Sequence, residues 1–186
     1  MRALPGRARF SRQSVQRPKD SKMSSPLVDW TVNRGDLRIQ LALVLYRTSH
    51  LLRTSKSASM RKLGRVVSLG YLVIVEWTWG MEIPWATQIG PRLRIFHGTG
   101  IVINAESVLG ADVVLRQGVC LGNRRSGGGS PRVGNRVDFG AASLVLGPYS
   151  IGDDSKIGAA SVVLADVEAE AVVVGNPART VKSRIS

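Results

Sequence analysis

A strict six-residue recurrence of aliphatic side chains runs through the C-terminal half of this 186-residue chain. One register reads Leu109, Leu115, Leu121, Val133, Phe139, Val145, Ile151, Ile157 and Val163; an earlier one, two residues out of phase, reads Ile83, Ile89, Ile95 and Ile101. Amphipathic helices repeat near 3.6 residues and half-buried strands near 2, so a period of six means that a longer unit is being stacked. Fixed short-period repetition marks a solenoid, and a hexapeptide period marks a parallel β-helix. The implied unit is a triangular coil of about eighteen residues whose three sides are short strands, each with one aliphatic side chain inward.

The remaining hexad positions agree with tight corners. Four residues after most ladder positions stands a small or β-branched residue (Thr87, Thr99, Ser107, Val113, Val119, Val137, Ser143, Ser155, Ser161, Val167), with Leu93 and Tyr149 as exceptions. Glycine often follows the ladder residue directly, as at Gly90, Gly110, Gly122, Gly134, Gly140, Gly152 and Gly158, where it is expected to accept strained turn backbone. The expected fold is mainly β: four to five coils over residues 81–168, a closing segment over 169–186, a helical region over 28–80 and a basic disordered tail over 1–27. An over-extended start with Met23 as the initiator is the other reading of the tail.

Two irregularities interrupt the repeat. The phase slips by two between Ile101 and Ile103, just after His97. Residues 123–132, reading NRRSGGGSPR, hold no ladder residue and form a predicted loop between Leu121 and Val133. No Gly-Lys-Ser/Thr closes that loop, so it is not a phosphate-cradling P-loop. Loops on a rigid scaffold often carry sites.

The net charge of +13 is concentrated ahead of the repeats: residues 1–22 carry +6, residues 23–80 carry +5 and residues 81–186 only +2. A basic N-terminal half can touch anionic lipid, whereas nucleic acid is not expected, because no recognition motif or aromatic interleaving is present. Periodicity predicts an amphipathic helix over 36–56 with Asp36 as N-cap, and a second over about 58–79. The apolar run Val66–Val75 is bracketed by Arg65 and Glu76 and is too short to span a bilayer, which needs about 20 apolar residues. Packing against the first coil, or an interfacial position aided by Trp77 and Trp79, are its two readings. The single cysteine, Cys120, excludes an internal disulfide and fits a reducing compartment; a cytoplasmic location, extending to the inner face of the membrane, is expected.

Two histidines are available for chemistry. His50 lies in the first predicted helix, where packing is the default. His97 lies beside the phase slip, in Ile95-Phe96-His97-Gly98-Thr99-Gly100-Ile101-Val102, where a broken wall can open a groove. Cys120 has no histidine within its own hexads to activate it. One solenoid histidine is too few for a three-histidine metal site, so no metal is expected.

Residues 82–186 resemble the C-terminal part of the serine O-acetyltransferase family of hexapeptide acyltransferases. The matching segments are His97-Gly98-Thr99-Gly100-Ile101-Val102, the glycine-rich loop, Ile157-Gly158-Ala159-Ala160-Ser161-Val162-Val163-Leu164 and the terminal Gly175-Asn176-Pro177-Ala178-Arg179. The resemblance implies a left-handed parallel β-helix, acetyl-CoA as co-substrate with no bound cofactor, and a homotrimer with sites in the clefts between subunits. It implies His97 as general base and Glu82, fifteen residues earlier where the family has Asp, as the carboxylate orienting it. It also implies acetyl-CoA contacts at Gly122, Gly140, Ala141, Gly158, Ala159, Ala160, Pro177 and Arg179.

The departures bear on the acceptor. Where the family has Asp before the histidine this chain has Phe96, and where it has an Arg-His pair in the loop this chain has Gly129 and Ser130. Those three positions are the expected acceptor pocket. Losing groups that pair with a zwitterion is costly for an amino-acid substrate. The nearer likeness is to the colanic-acid-type exopolysaccharide acetyltransferases, which share a Leu-Tyr-Arg like Leu45-Tyr46-Arg47 and a Gly-Asn-Arg like Gly122-Asn123-Arg124. The expected acceptor is therefore a sugar hydroxyl, of an exopolysaccharide or its lipid-linked precursor, with Phe96 suited to a ring face. Serine as acceptor, and a catalytically silent structural module, are the alternatives.

Overall fold

The computed structural model describes residues 25–182. The expected basic tail lies outside the described residues as far as residue 24, as do residues 183–186 of the closing segment. Fourteen strands follow the helices: β1 (Gln88–Ile89), β2 (Arg94–Phe96), β3 (Val102–Ile103), β4 (Val108–Leu109), β5 (Val114–Arg116), β6 (Cys120–Gly122), β7 (Arg132–Val133), β8 (Asp138–Phe139), β9 (Leu144–Leu146), β10 (Ser150–Ile151), β11 (Lys156–Ile157), β12 (Val162–Val163), β13 (Val172–Gly175) and β14 (Ala178–Lys182). They form three sheets, β1-β4-β7-β10, β2-β5-β8-β11-β13-β14 and β3-β6-β9-β12, parallel throughout except for the terminal β13–β14 hairpin. The chain thus visits the same three faces in turn, coil after coil, as the six-residue period requires. All thirteen ladder residues are buried and make one continuous core. Each buried aliphatic side chain stabilises by about 1.5–3 kcal/mol.

Register gives each coil its length. From β7 to β10 (132 to 150) the chain advances eighteen residues. From β4 to β7 (108 to 132) it advances twenty-four, because the 123–132 excursion sits in that coil. From β1 to β4 (88 to 108) it advances twenty. The loop and the phase slip are therefore real insertions of six and two residues in an otherwise constant coil.

Two sequence expectations need correction. Six of the seven glycines after ladder residues are required by close approach rather than by turn backbone, Gly122 being the exception: a Cβ on Gly140 would lie 2.4 Å from the Ala159 backbone nitrogen of the next coil. Left-handed backbone falls instead on Arg92, Asp112, Arg136, Asp154 and Glu170, with φ between 56 and 61°, stacked at one corner. Coil-to-coil hydrogen bonds such as Asp112 N–H to Pro91 O (2.9 Å) and Arg136 N–H to Ala111 O (2.8 Å) hold that corner. Second, Ile103 rather than Ile101 is the strand residue opposite Leu121, and Ile101 occupies the corner position level with Val119. Thr99, read as a small or β-branched residue at a tight corner, is exposed there.

The N-terminal region covers the first coil. Helix α1 (Leu37–Arg53) starts where expected, with the Asp36 carboxylate accepting from Ile39 N–H at 3.1 Å. Helix α2 (Ala58–Tyr71) continues as a π-helix over Leu72–Thr78, close to the predicted end. The two helices meet where Gly64 abuts Leu52, closely enough that a Cβ would lie 2.9 Å from the Leu52 Cβ. Before α1, residues 26–35 form turns, with Asp29 and Asn33 buried against β2. Asp29 accepts from Leu93 N–H (2.9 Å) and from buried Arg47 (2.8 Å), while Asn33 accepts from Ile95 N–H (2.9 Å) and donates to Leu93 O (2.8 Å). Arg47 also donates to Ile89 O and Gly90 O, at 2.6 and 2.7 Å. This clamp satisfies the outer backbone edge of β2 with side chains in place of another strand.

Candidate active site

The short-period insertion can be assigned residue by residue. Phe96 pairs with Arg116. Gly100 and Gly118 occupy equivalent corners, with φ of 73 and 71°, and Gly118 N–H bonds Thr99 O (3.0 Å) just as Ala142 N–H bonds Gln117 O (2.8 Å) one coil on. One residue separates Arg116 from Gly118, but three separate Phe96 from Gly100. The two extra residues are His97 and Gly98.

Their conformations follow from that extrusion. Both have left-handed backbone, φ 66° at His97 and 71° at Gly98. Gly98 turns inward and is buried, facing Ile39 of α1 and Met81. His97 turns outward and is exposed. Its carbonyl accepts from Thr99 N–H at 2.9 Å and from the Arg38 guanidinium of α1, so a costly backbone angle is held in place from two sides. Among the described residues the imidazole makes no hydrogen bond, which leaves both ring nitrogens open to a substrate.

Glu82 belongs to the same tier. It pairs in parallel with Val102, its N–H donating to Ile101 O (2.8 Å) and its carbonyl accepting from Ile103 N–H (2.9 Å). Its side chain is exposed, and no hydrogen bond joins it to His97 among the described residues. Val102 pairs in turn with Cys120, so Glu82, Val102 and Cys120 stack along one outward row. Burial first, and the Glu82 carboxylate second, push the Cys120 thiol up, which keeps it protonated and unsuited to nucleophilic attack.

Phe96, half-buried beside His97, has the guanidiniums of Arg94 and Arg116 4.5 and 5.3 Å from its ring centre. Sequence reasoning missed those arginines; alternation along β2 puts residue 94 on the same face as 96, a signal that was available. Gly129 and Ser130 lie at the loop's return, at a different corner of the same prism. A Cβ on Gly129 would lie 2.8 Å from Pro148 Cβ, and Ser130 Oγ lies 2.6 Å from Asn123 Oδ1 and 3.0 Å from Asn104 Oδ1. Both residues shape the loop base.

Below His97 the corner is lined by small residues: Gly100, Gly118, Ala142 and Ala160, one per coil, each with positive φ. The acetyl-CoA residues expected at Gly140, Ala141, Gly158, Ala159 and Ala160 flank or belong to this line. The closing hairpin folds over its end, with Gly175 N–H bonded to Ser161 Oγ (3.0 Å) and Val174 against Gly158, bringing Pro177 and Arg179 to the last coil. Gly122 stands apart, at the corner where the loop leaves.

A triangular parallel β-helix that breaks register to extrude one histidine above a smooth corner is the arrangement of a hexapeptide acyltransferase. No protein-family profile matches the chain. It is 36% identical over 156 residues, 82% of this chain and 96% of the other, to Escherichia coli (strain K12) WcaB, whose name assigns it to colanic acid biosynthesis as an acetyltransferase. It is 36% identical over 146 residues, 75% of this chain and 79% of the other, to a Helicobacter pylori (strain ATCC 700392 / 26695) serine acetyltransferase. Soybean serine acetyltransferase superposes with a TM-score of 0.72 at 31% identity, over 85% of this chain and 68% of that one. A serine acetyltransferase in complex with CoA superposes with a TM-score of 0.69 at 30% identity, over 84% and 68%. The chain belongs to the serine acetyltransferase family of hexapeptide acetyltransferases, and its prism is the left-handed β-helix of that family. No described helix is long and apolar enough to cross a membrane.

Proposed function

We propose that this protein transfers the acetyl group of acetyl-CoA to a sugar hydroxyl, of an exopolysaccharide or its lipid-linked precursor, with His97 as general base. The supporting observation is the extrusion of His97: the fold spends two residues and two left-handed backbone angles to present one unpaired imidazole. An alcohol is a weak nucleophile at neutral pH, so a positioned base must take its proton as the oxygen attacks the thioester carbonyl. The tetrahedral oxyanion then collapses, expelling the CoA thiolate, which takes a proton back from the imidazolium. Glu82, on the same tier, stabilises that imidazolium when the substrate closes the site. Backbone N–H groups of the corner receive the oxyanion. The small corner residues from Gly100 to Ala160 and the hairpin residues Pro177 and Arg179 carry the extended arm of acetyl-CoA. A homotrimer places each such corner in a cleft against a neighbour, and a basic N-terminal half favours work at the inner membrane face.

The WcaB likeness, spanning nearly that whole protein, supports the sugar. The serine acetyltransferase relatives support a second reading, with L-serine as acceptor. Release of free CoA thiol from acetyl-CoA, measured with sugar acceptors and with L-serine, separates them. Sugar-dependent release lost in His97→Ala is expected; turnover with L-serine at ordinary enzymatic rates refutes the sugar assignment, and His97→Ala with full activity refutes the mechanism.

A further inference from the structure

A groove of about 400 Å³ lies on the outer face of the β2 sheet, reaching from the Arg92–Asp112 corner to Arg94. Its walls come from two parts of the chain: Thr31 and Arg34 from the turns ahead of α1, and Arg92, Arg94, Asp112 and Val114 from the first two coils. That volume is within the range of small-molecule clefts. The Asp29–Asn33 clamp fixes the outer wall, since both side chains are buried and bonded to the β2 backbone. Arg34 follows that clamp directly, so its position is built into the fold.

The charges of the groove do not balance. Asp112 is taken by Arg92 in a two-pronged ion pair, and Asp138 on the neighbouring strand is taken by Arg116. Arg34 and Arg94 have no carboxylate partner among the described residues. Arg94 instead stacks on Phe96, the residue preceding His97. Arg38, whose guanidinium donates to the His97 carbonyl, adds further positive charge beside the histidine. Guanidinium forks match the planar or tetrahedral oxygens of carboxylate and phosphate.

We propose that this groove is an anion subsite of the acceptor, with Arg34 and Arg94 gripping a phosphate carried by the sugar whose hydroxyl His97 activates. The inference rests on the sugar O-acetyltransfer reading and specifies its substrate as a phosphorylated sugar. Chain order favours this class: Arg94 stacks on Phe96 and His97 follows Phe96 directly, so groove and imidazole are linked through one side chain. A hexose carries a phosphate and a free hydroxyl at opposite ends, whereas in serine the hydroxyl and carboxylate sit on adjacent carbons.

The test is calorimetric titration of the full chain saturated with CoA, so that the donor's own phosphates are already accommodated. The probes are glucose 1-phosphate, glucose, inorganic phosphate and L-serine. Glucose 1-phosphate is expected to bind, with an affinity that falls tenfold or more in Arg34→Gln/Arg94→Gln and with rising salt, while CoA affinity and the thermal unfolding of the variant stay at wild-type values. Equal affinity for glucose and glucose 1-phosphate overturns the anion subsite. So does inorganic phosphate binding as tightly as glucose 1-phosphate, L-serine binding in its place, exclusion of the sugar phosphate by CoA, or weaker CoA binding in the variant. Acetyl transfer is scored separately with neutral sugars: transfer without phosphate recognition leaves the enzymatic reading standing, and phosphate recognition without any transfer leaves the groove standing.

Discussion

Gly98 offers the sharpest handle on the extruded corner, because it separates backbone from packing. Its φ of 71° disfavours any side chain, at about 1–2 kcal/mol for a left-handed non-glycine residue. A Cβ there would also lie 2.8 Å from Ile39 Cδ1 and 3.2 Å from Met81 Sδ. The first distance is well inside the optimal carbon separation of about 3.5–4.0 Å, and such overpacking costs about 1–3 kcal/mol. Gly98→Ala is therefore expected to lose about 2–5 kcal/mol by urea unfolding at one fixed protein concentration. Ile39→Val removes the clashing methyl and by itself costs about 0.5–1.5 kcal/mol. In the double variant the Ile39 share of the steric cost disappears while the Met81 contact and the backbone part stay, so the two losses are less than additive by about 1–2 kcal/mol. Activity should follow the geometry: a shift of His97 by about 1 Å costs on the order of a hundredfold in kcat, with KM for acetyl-CoA little changed. Gly98→Ala within about 0.5 kcal/mol of wild type, or strict additivity with Ile39→Val, would falsify the placement of Gly98 against α1.

Other consequences are more local. Glu82→Gln should lower kcat by about tenfold or more at unchanged acetyl-CoA KM; an unaltered kcat removes Glu82 from the mechanism. Arg47→Ala strands the buried Asp29 carboxylate, so a loss of about 3–5 kcal/mol is expected in denaturant unfolding, and a loss under about 1 kcal/mol contradicts the clamp. Burial holds the His50 imidazole below its usual range, against the opposing effect of its 2.8 Å contact with Trp85 O. The unfolded histidine then takes its proton first as pH falls, so stability is full above about 6.5 and declines as pH drops towards the lower folded value. His50→Gln should flatten that decline between about pH 7 and 5, and equal slopes in the two proteins rule the effect out.

Ladder periodicity made most of the prism legible, because one inward aliphatic per short strand is a local, repeating demand. The helices were legible for the same reason, down to the Asp36 cap. His97 could be singled out by its place beside the slip, but the spacing put the slip between Ile101 and Ile103, beyond the two residues that are inserted. A six-residue pattern records where hydrophobic side chains recur, and Ile101 and Ile103 both satisfy it, being buried at 0% and 1% exposure. Only strand pairing of Ile103 with Leu121 assigns the extra residues to His97 and Gly98.

Sequence alone therefore determined the repeating coil, the six-residue excursion and the histidine at the break, since each is written in the spacing of neighbouring residues. Tertiary structure decided what distant segments do to that break. Gly98 is pressed against a helix that begins sixty residues earlier, Arg38 holds the His97 carbonyl, and the Asp29–Asn33–Arg47 clamp brings Arg34 beside Arg94. The clamp comes from buried polar groups finding partners across the fold and the Gly98 contact from apolar packing, and no periodicity in the chain encodes either.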